Sequence, residues 1–472
     1  MTFTIDGKQV LAALDRYLEE SRQAKKPVIH QETIETIHTQ LDLAAIFREG
    51  GLSGSRLDRF LSAYLDNTTR LHHPGYLAHQ VGNPQPLAAL GSFIDGVTNN
   101  AMAIYEMGPA AAAIEFFMVN QLLDRVGWPH MPFDTKQRLT VDHGAGVLTH
   151  GGSLANMTAL MTARNHLDPA LRENGCTSDL VLLAPDSCHY SVTKTAGILG
   201  MGEKNVVLLP TDRLGRVLPD RAERTISQTL KAGRRIVALI ANACATGTGL
   251  FDPIDRLADI CRKHSIWFHV DGAHGGSLLF SKKYRHLLAG LEKADSLILD
   301  AHKMLQTPTV CAALLVKHAA TLDHAFQHDA GYLFHEKYQP GFDFISQTVE
   351  CTKAGLGLRF FLAFAAQGEA GMAEYIDTCI DLTCSAQKYI ASQPDFDVPY
   401  TPESNILCFR HSASETDQLA IRDRLIQKGN FYLSSTSIND QRFLRMVIIS
   451  PATTLDDIKA LVHAIRQAAE TG

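Results

Sequence analysis

A chain of 472 residues is far longer than one minimal core requires, and the length predicts two or three domains. Its composition, 45% hydrophobic and 20% charged, is that of a globular protein, and a formal net charge of -6 leaves no basic footprint for nucleic acid. Nine cysteines without a CxxC pair or close Cys/His clustering argue against a structural zinc site and against a disulfide framework, and they fit reduced thiols in a cytoplasmic interior.

The opening segment, "MTFTIDGKQVLAALDRYLEESRQAKK", is amphipathic and charged and lacks the apolar core of a signal peptide. No run of about 20 apolar residues follows anywhere, so no membrane span is expected. Residues 1–85 read as helices and extended connectors, ending in the Pro- and Gly-punctuated "HHPGYLAHQVGNPQP". Apolar residues then recur at helical spacing, with a break expected at Gly108-Pro109.

Beyond that point an alternation sets in. "GAGVLTHGGSLANMTALMTARNHL" reads as a strand, a Gly turn and a helix, and "DLVLLAPDSCHYSVTKTAGILGM" and "RIVALIANACATGTGLFDPIDRLADICRKH" repeat the plan. "SIWFHVDGAHGG" and "SLILDAHK" are two further apolar strands, each ending in an acidic residue. Short continuous apolar runs alternating with helices predict a mostly parallel sheet covered on both faces, in an α/β domain spanning residues 86–370. A small α+β domain is expected over 371–472, where "ESNILCFRH" and "FLRMVIIS" read as strands. No repeat or low-complexity tract interrupts the chain.

In such sheets ligands gather at the carboxyl ends of the strands. Two glycines and Ser153 in "THGGSLANM" precede a helix whose first turn carries free N–H groups, which makes either an anion site or a tight turn with a Ser cap. Asp271, after "IWFHV", is costly beside an apolar strand unless a metal or a cationic ring nitrogen pairs with it; the alternative is a loop or capping role. Lys303, after "SLILDAH", is either a solvated side chain or a Schiff-base nucleophile, and His189 alone is equally ambiguous. The set says more than its members. An anion loop, a His, an Asp and a Lys at successive strand ends match the phosphate, ring face, ring nitrogen and aldehyde of pyridoxal phosphate.

On these residues the chain resembles the group II pyridoxal-phosphate amino-acid decarboxylases, which include the glutamate, cysteine sulfinate and aromatic amino-acid enzymes. "HVDGAHGGS" is similar to that family's His-Val-Asp-Ala-Ala-Trp/Tyr-Gly-Gly stretch, and "DAHKML" to its Asp/Asn-Pro-His-Lys-Trp/Met. "SCHYSVTKTAGILGMG", "THGGSLANMTALMTAR" and "LRMVIIS" match in order, from about Leu71 to the C-terminal region. The resemblance implies the type I fold of pyridoxal-phosphate enzymes, similar to aspartate aminotransferase, with an N-terminal helical segment and a small C-terminal domain. It implies an L-amino-acid decarboxylase, a carboxy-lyase, that binds no metal and forms a homodimer with active sites at the subunit interface.

Carried over position by position, the resemblance makes Lys303 the lysine that holds the cofactor's aldehyde and Asp271 the partner of its ring nitrogen. Ala273 packs under the ring and His189 stacks above it, also assisting proton transfer. Gly152 and Ser153 hold the phosphate, helped by Asp300 and His302, and Thr246 lies near the ring oxygen. Arg445 matches the position where glutamate-type members hold a substrate carboxylate.

Three departures bear on substrate and product. Ala301 stands where the family has Pro, which implies a loop adjustment. "YLAHQ" replaces "FFNQL", so His79 or Gln80 is expected to take over the contact to the substrate side chain. At the loop position where glutamate and cysteine sulfinate enzymes carry a proton-donating Tyr stands Phe342, with Tyr338 as the substitute donor. A small polar or acidic substrate such as glutamate, aspartate or cysteine sulfinate is expected. The alternatives are diaminobutyrate, an aromatic amino acid, or oxidative formation of an aldehyde in place of the amine.

Overall fold

The computed structural model describes residues 3–326, 341–412 and 417–470. Tyr338 lies outside the described residues. The chain divides into two compact units, Met1–Asn83 with Cys379–Gly472, and Pro84–Thr378. In chain order the strands are β1 (Tyr76–Leu77), β2 (Ala145–Thr149), β3 (Leu180–Pro185), β4 (Val206–Leu209), β5 (Arg235–Asn242), β6 (Trp267–Asp271), β7 (Ser296–Asp300), β8 (Ala312–Val316), β9 (Phe396–Asp397), β10 (Ile406–His411), β11 (Tyr432–Ile438) and β12 (Gln441–Val447).

In the Pro84–Thr378 unit seven strands form one sheet in the order β2-β8-β7-β6-β5-β3-β4. Pairing is parallel from β4 to β7, and only β8 runs against both its neighbours, β7 and β2. β2, β3, β6, β7 and β8 are buried along their whole length, as expected of strands covered on two faces, and this is why they read as continuous apolar runs. Helix Gly152–Leu167 packs against β5, β7 and β8. Its apolar face joins Leu160 and Ala163 to Leu182, Val237 and Trp267 in one buried cluster. The helix break expected at Gly108-Pro109 is present: a 3-10 turn, Tyr105–Met107, gives way to a helix beginning with Pro109 at its first position.

One consequence of this order positions the site. Antiparallel β8 lies between β2 and β7, so β2 points the same way as the parallel strands. Thr149, Pro185, Asn242, Asp271 and Asp300 therefore end on one edge of the sheet, and the loops that follow them meet there.

The other unit holds a five-stranded sheet, β1-β11-β12-β10-β9, parallel at β1–β11 and antiparallel elsewhere. Its core joins Leu77, Leu407, Phe409, Leu433, Leu444 and Ile465. Among the described residues no helix is long and apolar enough to cross a membrane.

Candidate active site

A cavity of about 320 Å³ opens at the shared strand edge of the Pro84–Thr378 unit. Gly152 and Ser153 from the loop after β2 line it, with His189 after β3, Thr246 after β5, Asp271 and Ala273 at the end of β6, and Asp300, His302 and Lys303 at the end of β7. These are all the residues that the sequence assigned to a cofactor. Gly151 also lines the cavity, and His150, Asn156, Asn242, Cys244, His274 and Val310, which were not singled out, complete the wall.

The β2 loop is shaped by two glycines for different reasons. Gly151, which precedes the helix, has φ +95, a conformation that side-chain-bearing residues rarely adopt. Gly152 is held to hydrogen by space: a Cβ there would stand 2.6 Å from Asp300 Oδ1. The helix N-terminus thus lies directly against the end of β7.

At that end a turn closes with Lys303 N–H donating to the Asp300 carbonyl, 3.1 Å, which brings the two side chains together. Lys303 Nζ lies 3.2 Å from Asp300 Oδ2, and His302 Nε2 is 3.8 Å from the same oxygen. His302 Nδ1 donates to the Cys311 carbonyl at 2.8 Å, which fixes its ring. Asp300 Oδ1 is buried and has no hydrogen-bond partner among the described residues.

Asp271 is buried. Its Oδ2 accepts from Asn156 Nδ2 at 2.9 Å and its Oδ1 from the Ala273 N–H at 3.1 Å. Among the described residues it forms no ion pair. His189 sits half-buried with Nδ1 2.8 Å from Ser191 Oγ. Burial holds its pKa below the ordinary value; Lys303 pushes the same way, while Asp271 and Asp300 oppose. Burial thus favours the uncharged imidazole at the cavity wall.

The sequence missed His150. Its Nδ1 lies 2.5 Å from Glu350 Oε1, so a carboxylate orients an imidazole at the cavity wall. The signal was a His directly before the Gly-Gly pair. Phe342 does not line the cavity. Its ring packs against Phe116 at 5.5 Å and Phe344 at 4.6 Å, under the guanidinium of Arg138.

The three residues assigned to the substrate belong to the other unit. Arg445, on β12, is buried and donates through Nη1 to the Ala78 carbonyl and Ser434 Oγ, both at 3.1 Å. His79 Nε2 lies 2.8 Å from the Tyr432 hydroxyl, and burial, reinforced by Arg445 and Arg422, lowers its pKa. Gln80 Nε2 is buried with no hydrogen-bond partner among the described residues.

The Pro84–Thr378 cavity suits one kind of molecule. A buried carboxylate with no countercharge among the described residues asks for a cation, a helix N-terminus behind a Gly-Gly turn asks for an anion, and a lysine in the wall asks for a carbonyl. Such a cavity at the strand ends of a mostly parallel sheet defines a pyridoxal-phosphate enzyme. Residues 69–412 match the model of the pyridoxal-dependent decarboxylase conserved domain, and the chain belongs to that family. It is a pyridoxal-phosphate-dependent amino-acid decarboxylase, a carboxy-lyase. It is 28% identical over 452 residues to the acidic amino acid decarboxylase GADL1 of Bos taurus, covering 91% of this chain and 84% of the relative. It is also 28% identical over 475 residues to the cysteine sulfinic acid decarboxylase of Rattus norvegicus, covering 96% and 93%. The crystal structure of mouse CSAD superimposes with a TM-score of 0.88 at 27% identity, over 98% of this chain and 97% of that one.

Proposed function

We propose that this enzyme decarboxylates a small acidic L-amino acid, of the cysteine sulfinate, aspartate or glutamate type, to the corresponding amine and CO2. The observation that carries the reading is the grouping of Lys303, Asp271, His189 and the Gly152–Ser153 helix start around one cavity. The acidic substrate is supported by the relatives' own names and by Arg445, a buried guanidinium suited to two-point recognition of a carboxylate or sulfinate.

Pyridoxal phosphate, when bound, supplies an aldehyde that captures the substrate's amine and a ring that takes up the electrons left when CO2 departs. In our reading the Lys303 amine holds that aldehyde between turnovers and carries protons while displaced. The Asp271 carboxylate keeps a proton on the ring nitrogen by opposing its charge in a buried setting. Ser153 and the N–H groups behind Gly152 would hold the phosphate, helped by His302 and Asp300, and Ala273 and Thr246 would meet the ring. His189, half-buried at the cavity wall, would pack against the ring and could pass a proton. His79 and Gln80 bind beside Arg445 on the substrate's side chain. Tyr338 is our candidate for returning the proton to Cα, because Phe342 lacks a hydroxyl.

We further propose a homodimer in the cytoplasm. Leu90, Phe93, Ile94 and Val97 on one helix are 41–57% exposed, an apolar surface of the kind a second copy covers. The substrate reading is tested by measuring CO2 release over cysteine sulfinate, aspartate, glutamate, diaminobutyrate and aromatic amino acids, with each product identified. An acidic substrate turned over to amine is the expected result. Turnover confined to a basic or aromatic substrate, or aldehyde with peroxide as the main product, overturns it.

A further inference from the structure

Beneath the cavity the sheet holds polar side chains that the chemistry above leaves unused. His269 and Ser296 are 0% exposed, Asn156 1% and Trp267 8%. Burial of this kind is unfavourable unless each group is bonded. Their hydrogen bonds form an unbroken file. Trp267 Nε1 lies 2.8 Å from Ser296 Oγ, and that oxygen lies 2.8 Å from His269 Nδ1. His269 Nε2 is 2.9 Å from Asn156 Oδ1. Asn156 Nδ2 is 2.9 Å from both Asp271 Oδ2 and Ser191 Oγ, and Ser191 Oγ is 2.8 Å from His189 Nδ1. Strand register makes the file possible, since His269 on β6 stands directly beside Ser296 on β7.

The proton positions follow from the Asp271 end. A carboxylate only accepts, so Asn156 turns Nδ2 to Asp271 and Oδ1 to His269 Nε2, which must donate. With that proton placed, Nδ1 of the neutral ring accepts the Ser296 hydroxyl hydrogen, and Ser296 Oγ accepts the Trp267 indole N–H. The two amide hydrogens of Asn156 go to Asp271 and to Ser191, and the Ser191 hydroxyl donates to His189 Nδ1. His189 is left with its own proton on Nε2. Burial lowers the His269 pKa to about 4, which keeps the ring neutral and its Nδ1 free to accept from Ser296.

We propose that Trp267, Ser296, His269 and Asn156 are positioning residues of the decarboxylase, forming a one-way hydrogen-bond relay that holds Asp271 as an oriented carboxylate and His189 as the Nε2–H tautomer. The proposal rests on the reading of Asp271 and His189 as cofactor contacts. Asn156 and the Ala273 N–H occupy one lone pair on each Asp271 oxygen, so the carboxylate is fixed in plane. Each bond in the file polarises the next, so a change at Trp267 is felt at both Asp271 and His189.

The test uses the holoenzyme and its visible cofactor band, titrated with pH. Ser296→Ala removes the hydroxyl and Trp267→Phe removes the indole donor while keeping an aromatic ring in the core. In each variant that folds, the midpoint of the band shifts by about half a pH unit or more. In each, kcat falls about fivefold or more while KM stays within about twofold. Leu297→Val, a core change on β7 outside the file, keeps the midpoint of the unaltered enzyme. A neutron structure of the unaltered holoenzyme shows the deuteron on His189 Nε2. Midpoints unmoved in both variants, or a deuteron on His189 Nδ1, overturn the relay. A protein that shows no cofactor band at all overturns instead the reading on which the relay rests.

Discussion

Lys303 Nζ and Asp300 Oδ2 stand 3.2 Å apart at the end of one buried strand, with the carboxylate 4% exposed. The pair is held from behind by Gly152, whose missing Cβ leaves room for Asp300. Gly152→Ala forces the Asp300 carboxylate out of place, because neither the helix start nor the strand end can move away cheaply. The expected result is a loss of cofactor affinity of about tenfold or more, read by absorbance titration of the apo-enzyme. Unchanged affinity would separate the helix start from the cofactor site.

A second ion pair is fully buried. Lys353 Nζ lies 2.5 Å from Glu115 Oε2, both side chains are 0% exposed, and Glu115 Oε1 accepts the Leu148 N–H of β2. Burial drives the Glu115 pKa up and Lys353 opposes it. Lys353→Met strands that carboxylate and costs about 3–5 kcal/mol of stability. Adding Glu115→Gln recovers part of the loss, because a neutral amide still accepts from Leu148. Chemical unfolding of the two variants checks both statements.

Acid sensitivity follows from His73, whose Nδ1 accepts the Gly75 N–H at 2.8 Å and whose pKa burial lowers to about 4. Above pH 6.5 the ring is neutral folded or unfolded, so stability is full. As pH falls from 6.5 toward 4 the unfolded chain takes up the proton and the folded chain does not, so stability is lost across that window. His73→Asn keeps an acceptor for Gly75 and does not titrate. Its melting temperature is expected to drop less between pH 7 and pH 5 than that of the unaltered chain, and an equal drop contradicts the assignment.

Phe342 packs within an aromatic cluster. Phe342→Tyr is therefore expected to leave the ratio of amine to aldehyde unchanged, by chromatography of the products. A shift toward amine would show that this ring reaches the reacting carbon.

The strands that end in site residues were legible because each combines an apolar run with a chemically costly terminus, as "WFHVD" and "SLILD" do. The direction of β8 was not, since "AALLV" is as apolar as its parallel neighbours and an apolar run carries no sign of direction. β1 was equally silent: its two residues, Tyr76 and Leu77, pair with Tyr432 and Leu433 from the far end of the chain. At the site, Lys303 and Asp271 stood out as charges beside apolar runs. Asn156, Ser191, His269 and Ser296 did not, because a polar residue inside a helix or strand looks ordinary until its partners are known. Their hydrogen bonds span separations such as the 115 residues between Asn156 and Asp271.

Lys303 is assigned as the lysine that carries the cofactor. Borohydride reduction of the holoenzyme, followed by peptide mapping by mass spectrometry, tests it directly. The reduced pyridoxyl phosphate group is expected on Lys303, with the visible band lost in step. A label on another lysine, or on none, would contradict the account.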